Sequence, residues 1–131
     1  MGPLAAKQGD MVQALDIHLI QPPGTVPPVP IPGHVFNGII DHSVSTDVMI
    51  EGRGAATVGS TATNTPPHIP LGGSFVIPPT NQATIIMGST TVLINNKPAA
   101  RMGDTALTCN DPAPMPVGTV VVPGGRTFIG G

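Results

Sequence analysis

The chain has no tryptophan and no tyrosine, and Phe36, Phe75 and Phe128 are the only aromatic residues among its 131. Large rings usually contribute much of the core energy of a small domain, so this source of stability is nearly missing. The single cysteine, Cys109, excludes an internal disulfide. A small domain that lacks both needs another cross-link, which leaves a metal ion or contacts with another chain.

Charge is scarce as well, with charged residues at 9% of the chain and a formal net charge of −2. There is no basic run and no set of stacking aromatics, so nucleic acid is not an expected partner. No apolar run approaches the roughly 20 residues that cross a bilayer, and no stable membrane insertion is expected. The N-terminus lacks a secretion signal pattern, which predicts that the protein is made and assembled in the cytoplasm.

Glycine and proline are abundant instead, with 17 residues of each. This content approaches that of low-complexity chains, but disordered chains are weakly hydrophobic, whereas this chain is 40% hydrophobic. Short runs rich in Val, Ile and Thr alternate with turn residues, and helix signals are nearly absent. The sequence therefore predicts an ordered, loop-rich, mainly β domain.

One turn pattern, here called the corner, occurs three times. Residues 47–60 (DVMIEGRGAATVGS) align without a gap on residues 91–104 (TVLINNKPAARMGD), and a shorter copy, AAKQGD, lies at residues 5–10. The leading strand that the first copy lacks is expected from TVVV at residues 119–122. Each alanine pair allows backbones to approach closely, and each glycine permits turn dihedrals. The repeats predict a pseudo-threefold arrangement of short strands. We predict one domain over residues 1–131, with repeat corners near 5–18, 47–68 and 91–109 and a closing strand at 119–131.

Each corner is followed by one candidate metal ligand. His18 and His68 lie eight residues after the last residue of their corners, and Cys109 lies five residues after its own. In a pseudo-threefold fold these side chains converge near the axis, and imidazole and thiolate are ligands that suit zinc. A structural zinc site needs a fourth ligand, which is His34 or His42. We predict His34, because the rigid proline segment before it fixes its position.

Besides a structural role for the zinc site, two functions remain as alternatives. A zinc-dependent hydrolase needs an open metal position and a general base, but the single glutamate, Glu51, is expected in the middle of a strand. The proline-rich segment at residues 21–33 (QPPGTVPPVPIPG) is expected to be an extended surface strap, which as a binding module would attract proline-reading partners. Activity lost on changing Glu51 or Asp41 would favour the hydrolase. Function retained in a peptide of residues 21–33 would favour the binding module.

The third corner carries a recognisable tetrapeptide. Residues 92–109 read VLINNKPAARMGDTALTC, and the Pro-Ala-Ala-Arg within them resembles the signature of the PAAR-repeat proteins. The second corner departs from that signature, with Gly54 and Thr57 where the third has Pro98 and Arg101. The resemblance covers nearly the whole chain.

What the resemblance implies is specific. PAAR-repeat proteins are small cones, pinned by a metal near the apex, that cap the trimeric VgrG-type spike of contractile injection machines such as the type VI secretion system. His34 is similar to the histidine of the family's His-Pro-Phe-Asn-Gly segment, with Val35 in place of the proline. The resemblance implies a structural protein rather than an enzyme, with one zinc per chain, one copy per spike trimer and secreted effectors as further partners. It also implies delivery at the tip of the apparatus, with transient passage through a target membrane. The implied zinc ligands are His18, His34, His68 and Cys109.

Overall fold

The computed structural model describes residues 2–130, and this part of the chain is all β, as the composition predicts. Nothing within residues 2–130 forms a helix long and apolar enough to span a membrane. Eleven strands follow one another in the described residues: Met11–Gln21 (β1), Val29–His42 (β2), Met49–Ile50 (β3), Arg53–Gly54 (β4), Thr61–Asn64 (β5), Ser74–Phe75 (β6), Gln82–Ile85 (β7), Leu93–Ile94 (β8), Lys97–Pro98 (β9), Thr105–Thr108 (β10) and Met115–Val121 (β11).

Six strands close into a small antiparallel barrel. They pair in the order β1, β2, β5, β7, β10 and β11, and β11 pairs again with β1 through Met11–Val121, Val12–Val120 and Gln13–Thr119. The short strand β6 pairs with the far end of β1. Two hairpins, β3–β4 and β8–β9, form separate two-stranded sheets in the first half of the second and third corners.

Small side chains fill the barrel. A barrel of six strands encloses little space, so residues that point inward must be small or few. Ala62, Ala83 and Ala106 face inward from three different strands and are at most 1% exposed. Among the described residues, Phe36 is the one aromatic side chain of this core cluster. The scarcity of aromatic residues in the sequence thus has a geometric reason, because the barrel has little room for rings.

Three backbone hydrogen bonds join the corners in a ring. The amide of Ala6 donates to the carbonyl of Ala100, that of Ala100 to Ala56, and that of Ala56 to Ala6, each at 3.0 Å. All three side chains are buried, so larger residues would crowd the ring. The ring places the corners around one axis and confirms the pseudo-threefold arrangement that the repeats predict.

The turn within each corner depends on its glycine. The φ angles of Gly9, Gly59 and Gly103 are 94°, 98° and 91°, a region that side chains with a Cβ rarely adopt. Each of the three amides donates to the carbonyl of a neighbouring barrel strand at 2.9 Å. The following side chain, Asp10, Ser60 or Asp104, accepts the amide three residues earlier, at 2.7 to 3.0 Å. The three copies are therefore equivalent in their hydrogen bonds and not only in sequence.

Replacing Gly59 by alanine should destabilise the protein through backbone strain alone. A Cβ built at Gly59 has no neighbour within 4 Å, so the positive φ is the source of the cost. We expect a loss of about 1–2 kcal/mol and a melting temperature lower by about 5 °C in thermal unfolding. The matched control is Gly124→Ala, where a Cβ also meets nothing within 4 Å and no positive φ occurs. Equal effects of the two substitutions would contradict this reasoning.

The first corner receives its leading strand from a segment other than the expected one. The amide of Ala5 donates to the carbonyl of Thr127 at 2.8 Å, and Leu4 pairs with Phe128. The expected segment, residues 119–122, instead belongs largely to β11, where Val120 is fully buried. The prediction for TVVV was wrong because its alternating buried valines are needed in the barrel wall. A hairpin-like unit of residues 3–5 and 127–129 takes its place, so both ends of the chain meet there.

Two local predictions also differ from the structure. Glu51 is not in the middle of a strand but in the turn between β3 and β4, where it and Gly52 have φ of 52° and 82°. A two-residue hairpin turn of this kind requires positive φ at both central residues. The proline strap is a strand in its second part, because β2 already begins at Val29. Pro30 pairs there with Leu19, on a part of β2 that among the described residues has no strand partner besides β1, and prolines are tolerated on such a free edge.

Candidate metal centre

Four buried side chains with metal-binding atoms lie together at the barrel end far from the corners, here called the histidine end. Asp16 and His18 come from β1, His68 follows β5, and Cys109 follows β10. One ligand atom from each of the four lies within 4.8 Å of all the others. About 23 Å of extended strand separates His18 from Met11 at the corner end.

The distances suit a single ion. Asp16 Oδ2 lies 2.9 Å from His68 Nε2 and 3.6 Å from Cys109 Sγ, and that sulfur lies 3.9 Å from His18 Nε2. Tetrahedral zinc with bonds of about 2.0–2.3 Å places its ligand atoms about 3.3–3.8 Å apart. The four atoms therefore need to move little to hold zinc, and a donor set of nitrogen, sulfur and oxygen fits that metal.

Strand geometry explains why Asp16 and His18 both point inward. Side chains two residues apart on a strand share one face, and both residues are fully buried on the inner face of β1. Asp111 lies behind His18, with its Oδ2 at 3.3 Å from His18 Nδ1 and 2.8 Å from the amide of Leu19. A carboxylate on the outer nitrogen of an imidazole orients the ring and leaves Nε2 free for a metal.

His68 is fixed by two asparagines. Its amide donates to Asn81 Oδ1 at 2.8 Å, and its Nδ1 lies 3.3 Å from Asn64 Nδ2. Asn64 also bonds to Asn81, so both ends of the histidine are tied to the same pair of side chains. A cavity of about 380 Å³ borders His68 and His34.

The thiol of Cys109 is protonated while no cation is bound. Burial, followed by the negative charge of the neighbouring Asp16, raises the pKa of Cys109 to about 11. The thiolate is the form that binds metals, so a cation in this site must displace the proton. A cation bound here would therefore stabilise the thiolate of Cys109, the form that burial disfavours.

His34 lies beside this group. The residue is 2% exposed, and its ring centroid is 5.1 Å from that of His18. Its Nδ1 lies 3.1 Å from the carbonyl of Ile31, and its Nε2 accepts the amide of Leu71 at 3.3 Å. Burial and then the nearby His18 lower the pKa of His34, which favours the neutral imidazole. The structure thus brings His34 to the site but gives both of its nitrogens protein partners.

The other sequence candidates lie elsewhere. His42 is exposed, and its Nδ1 lies 2.8 Å from Asp41 Oδ1, away from the four-residue group. Glu51 accepts the amide of Arg126 at 2.9 Å in its hairpin turn, which lowers the pKa of Glu51. Because that hairpin is part of the second corner, the carboxylate lies at the end of the barrel opposite the histidines. Glu51 is not placed to act as a general base on a metal-bound water.

Sequence reasoning missed Asp16, although a signal for it exists. The spacing to the corners predicts ligands only among histidine and cysteine, but Asp16 stands two residues before His18 on a strand. An acidic residue at that spacing shares the face of the histidine. The alternation of Val12, Asp16, His18 and Ile20 on the buried side of β1 could have identified it.

A comparison with protein families agrees with the fold and the repeats. The model of the PAAR motif matches residues 22–112 and 77–131, which together span residues 22–131. A comparison with curated proteins gives no match. The family match covers most of the chain, and it includes the second and third corners together with His34, His68 and Cys109. With three equivalent corners around one axis and a buried His/Cys/Asp group, this chain belongs to the PAAR motif family.

Proposed function

We propose that this protein is the structural tip of a contractile injection machine of the type VI secretion kind, where it caps and sharpens a trimeric VgrG-type spike. The ring formed by Ala6, Ala56 and Ala100 is the observation that carries this proposal. It makes one end of a single chain nearly threefold symmetric. Such an end can offer equivalent contacts to each of three identical partner chains. Membership of the PAAR motif family supports the same function.

The corner end also carries three equivalent exposed apolar residues, here called the apolar triad. Met49, Leu93 and Phe128 are 56%, 61% and 45% exposed. They hold the same position in the three repeats. In each repeat, the carbonyl of the residue before the triad residue accepts the amide of the first alanine of the alanine pair, at 2.8 to 3.0 Å. Apolar side chains exposed in a symmetric set are typical of an interaction surface. We propose that the triad contacts the three spike chains.

A second core holds the triad in place. The residues that follow the triad, Ile50, Ile94 and Ile129, point the other way and are at most 8% exposed. They pack with Ala5, Ala55 and Ala99 in a cluster separate from the barrel core. Each triad residue therefore projects from a unit that is anchored on its opposite face, as a firm docking surface requires.

The metal would serve the opposite end. Many of the buried residues at the histidine end are polar, among them Asp16, His18 and Asn110, so the binding energy of an ion would add to the folding energy there. The proposal includes one structural zinc per chain, bound by His18, His68, Cys109 and a fourth donor, for which the sequence predicts His34. The role is structural rather than enzymatic. The proposal further includes assembly in the cytoplasm, help in attaching effectors, and delivery of the tip through a target membrane.

Stoichiometry tests the proposal directly. The purified chain, mixed with a trimeric VgrG-type spike protein and measured by native mass spectrometry, should give complexes of one tip chain and three spike chains. The physical reason is that one pseudo-threefold end occupies the whole threefold axis of the partner. Complexes with three tip chains per trimer, or no complex, would contradict the function.

A further inference from the structure

We propose that a second ring of contacts joins the three repeats at the corner end and holds the apolar triad in position for docking. The inference rests on the proposed function, because docking gives the triad its role. A unit is here a corner with the residues that lead into it: residues 45–60, residues 89–104, and residues 3–10 together with 124–130. Three side chains bond from one unit to the next and are positioning residues: Ser45, Ser89 and Glu51.

The two serines fix the backbone just before two of the triad residues. The hydroxyl of Ser45 accepts the amide of Val48 at 2.9 Å, and that of Ser89 accepts the amide of Val92 at 2.9 Å. Each of these valines directly precedes a triad residue in the sequence. Both serines are at most 9% exposed, so water competes little for these hydrogen bonds.

Each serine hydroxyl also bonds to the turn of the next unit. Ser45 Oγ donates to Asn95 Oδ1 at 2.5 Å, and Ser89 Oγ donates to the carbonyl of Gly130 at 3.0 Å. Asn95 and Gly130 both follow a buried isoleucine, so the two bonds end at equivalent positions. Asn95 Nδ2 also donates to Asp47 Oδ2 at 3.1 Å across the same boundary. The second unit is thereby bonded to the third, and the third to the first.

Glu51 closes the ring between the second unit and the first. The first unit has no serine for this purpose, because Gly124 stands three residues before Thr127, where the other units have a serine. The carboxylate of Glu51 replaces that hydroxyl, and its Oε2 accepts the amide of Arg126 at 2.9 Å. The equivalent amide of the second unit, that of Asp47, is bonded to the serine hydroxyl at 3.2 Å.

The contact of Glu51 acts on Phe128, the triad residue of the first unit. Arg126 precedes Phe128 by two residues and is itself exposed. The amide of Arg126, and to a smaller degree the charge of Lys7, lower the pKa of Glu51, so the acceptor is ionised at neutral pH. A side chain that is held in place before docking loses less freedom when it binds. Glu51 therefore favours docking without contacting the spike.

Hydrogen exchange of the free chain, measured by NMR, tests the contact of Glu51. Glu51→Ala removes the acceptor, and we expect the amide of Arg126 to exchange about 3- to 10-fold faster. Glu51→Gln keeps an acceptor oxygen and should stay within about twofold of the wild type. Asp41→Ala removes the same charge elsewhere and should leave this amide unchanged. Because Glu51 is exposed, its variants should fold, and an unchanged rate in Glu51→Ala would overturn the inference.

The same measurement tests whether the ring couples the units. Ser89→Ala should speed exchange of the Val92 amide in its own unit and also of the Ile129 amide in the first unit, each by about threefold or more. The matched control is Ser60→Ala, a buried serine whose hydroxyl bonds lie within residues 43–60. It should leave the Ile129 amide unchanged. An effect of Ser89→Ala that is confined to the third unit would overturn the ring.

Calorimetric titration against a trimeric VgrG-type spike tests the consequence for docking. We expect Glu51→Ala to weaken binding by about 3- to 10-fold and Glu51→Gln by less than about twofold. Equal weakening by both substitutions would show that the charge itself contacts the spike, and it would overturn the positioning role, as would unchanged binding of Glu51→Ala. Absence of any complex with the wild type contradicts the proposed function instead, whereas the exchange rates of the free chain do not depend on a spike.

Discussion

Removal of zinc from the loaded protein should lower its melting temperature by about 15 °C. At free zinc about 1,000-fold above Kd, binding adds about 4 kcal/mol, and each kcal/mol corresponds to roughly 4 °C for a chain of this size. The effect is large because the ligands come from three separated parts of the chain, which the ion joins where few apolar residues pack. Thermal unfolding with and without a chelator, together with metal analysis that should find about one zinc per chain, measures it.

Two substitutions serve as controls for the zinc effect. Cys109→Ser removes the thiolate, so a chelator should no longer change the melting temperature of that variant. His42→Ala should keep both the zinc content and the melting temperature, because the imidazole of His42 is 72% exposed and contacts Asp41 instead. Protein that contains no zinc after expression in metal-replete medium would contradict the metal centre altogether.

Replacing all three residues of the apolar triad by serine should abolish binding to the spike. Buried apolar anchors at the centre of an interface each contribute about 2 kcal/mol or more. Loss of Met49, Leu93 and Phe128 together should therefore weaken binding by more than about 1,000-fold. The side chains are 45–61% exposed in the free chain, so their loss should cost little stability. Calorimetric titration of the variant against the trimeric spike measures the change.

The matched control for the triad lies on the outer wall of the barrel. Leu15 and Val35 face each other across β1 and β2 and are each 65% exposed, at least as much as any triad residue. Leu15→Ser combined with Val35→Ser should leave spike binding unchanged. If this pair weakens binding as strongly as the triad substitution does, the docking surface lies on the wall rather than at the corner end.

The parts of the fold that come from repeated sequence segments were predictable. The gap-free match between residues 47–60 and 91–104 predicts two equivalent corners, and AAKQGD at residues 5–10 predicts the third. All three corners form the expected turns around one axis. The pairing of residues 127–129 with residues 3–5 was not predictable in the same way, because no repeated pattern marks those residues. Closure of the barrel between β1 and β11 is a long-range contact that no local signal contains.

The residues of the candidate site were predictable where they lie at a similar spacing after each repeat. His18, His68 and Cys109 were found from their spacing to the corners, and the structure brings all three together. Asp16 was not predicted from this spacing, because its position among the metal-binding side chains depends on which face of β1 is buried. The surroundings of His34 depend on Ile31 and on Leu71, and the second of these is 37 residues away in sequence. Such contacts are set by tertiary packing rather than by any local pattern.

The closed ring of corners has a consequence for synthesis of the chain. The amide of Ala6 is bonded to Ala100, and β1 is bonded to residues 119–121, so this early segment has its partners about 100 residues later in the sequence. The barrel can close only after residue 121 has left the ribosome, and until then the buried Val12 and Ile20 of β1 stay uncovered. A chain stalled before residue 119 should therefore bind chaperones and be cut readily by proteases, whereas a chain in which residues 119–121 are free to pair should resist both.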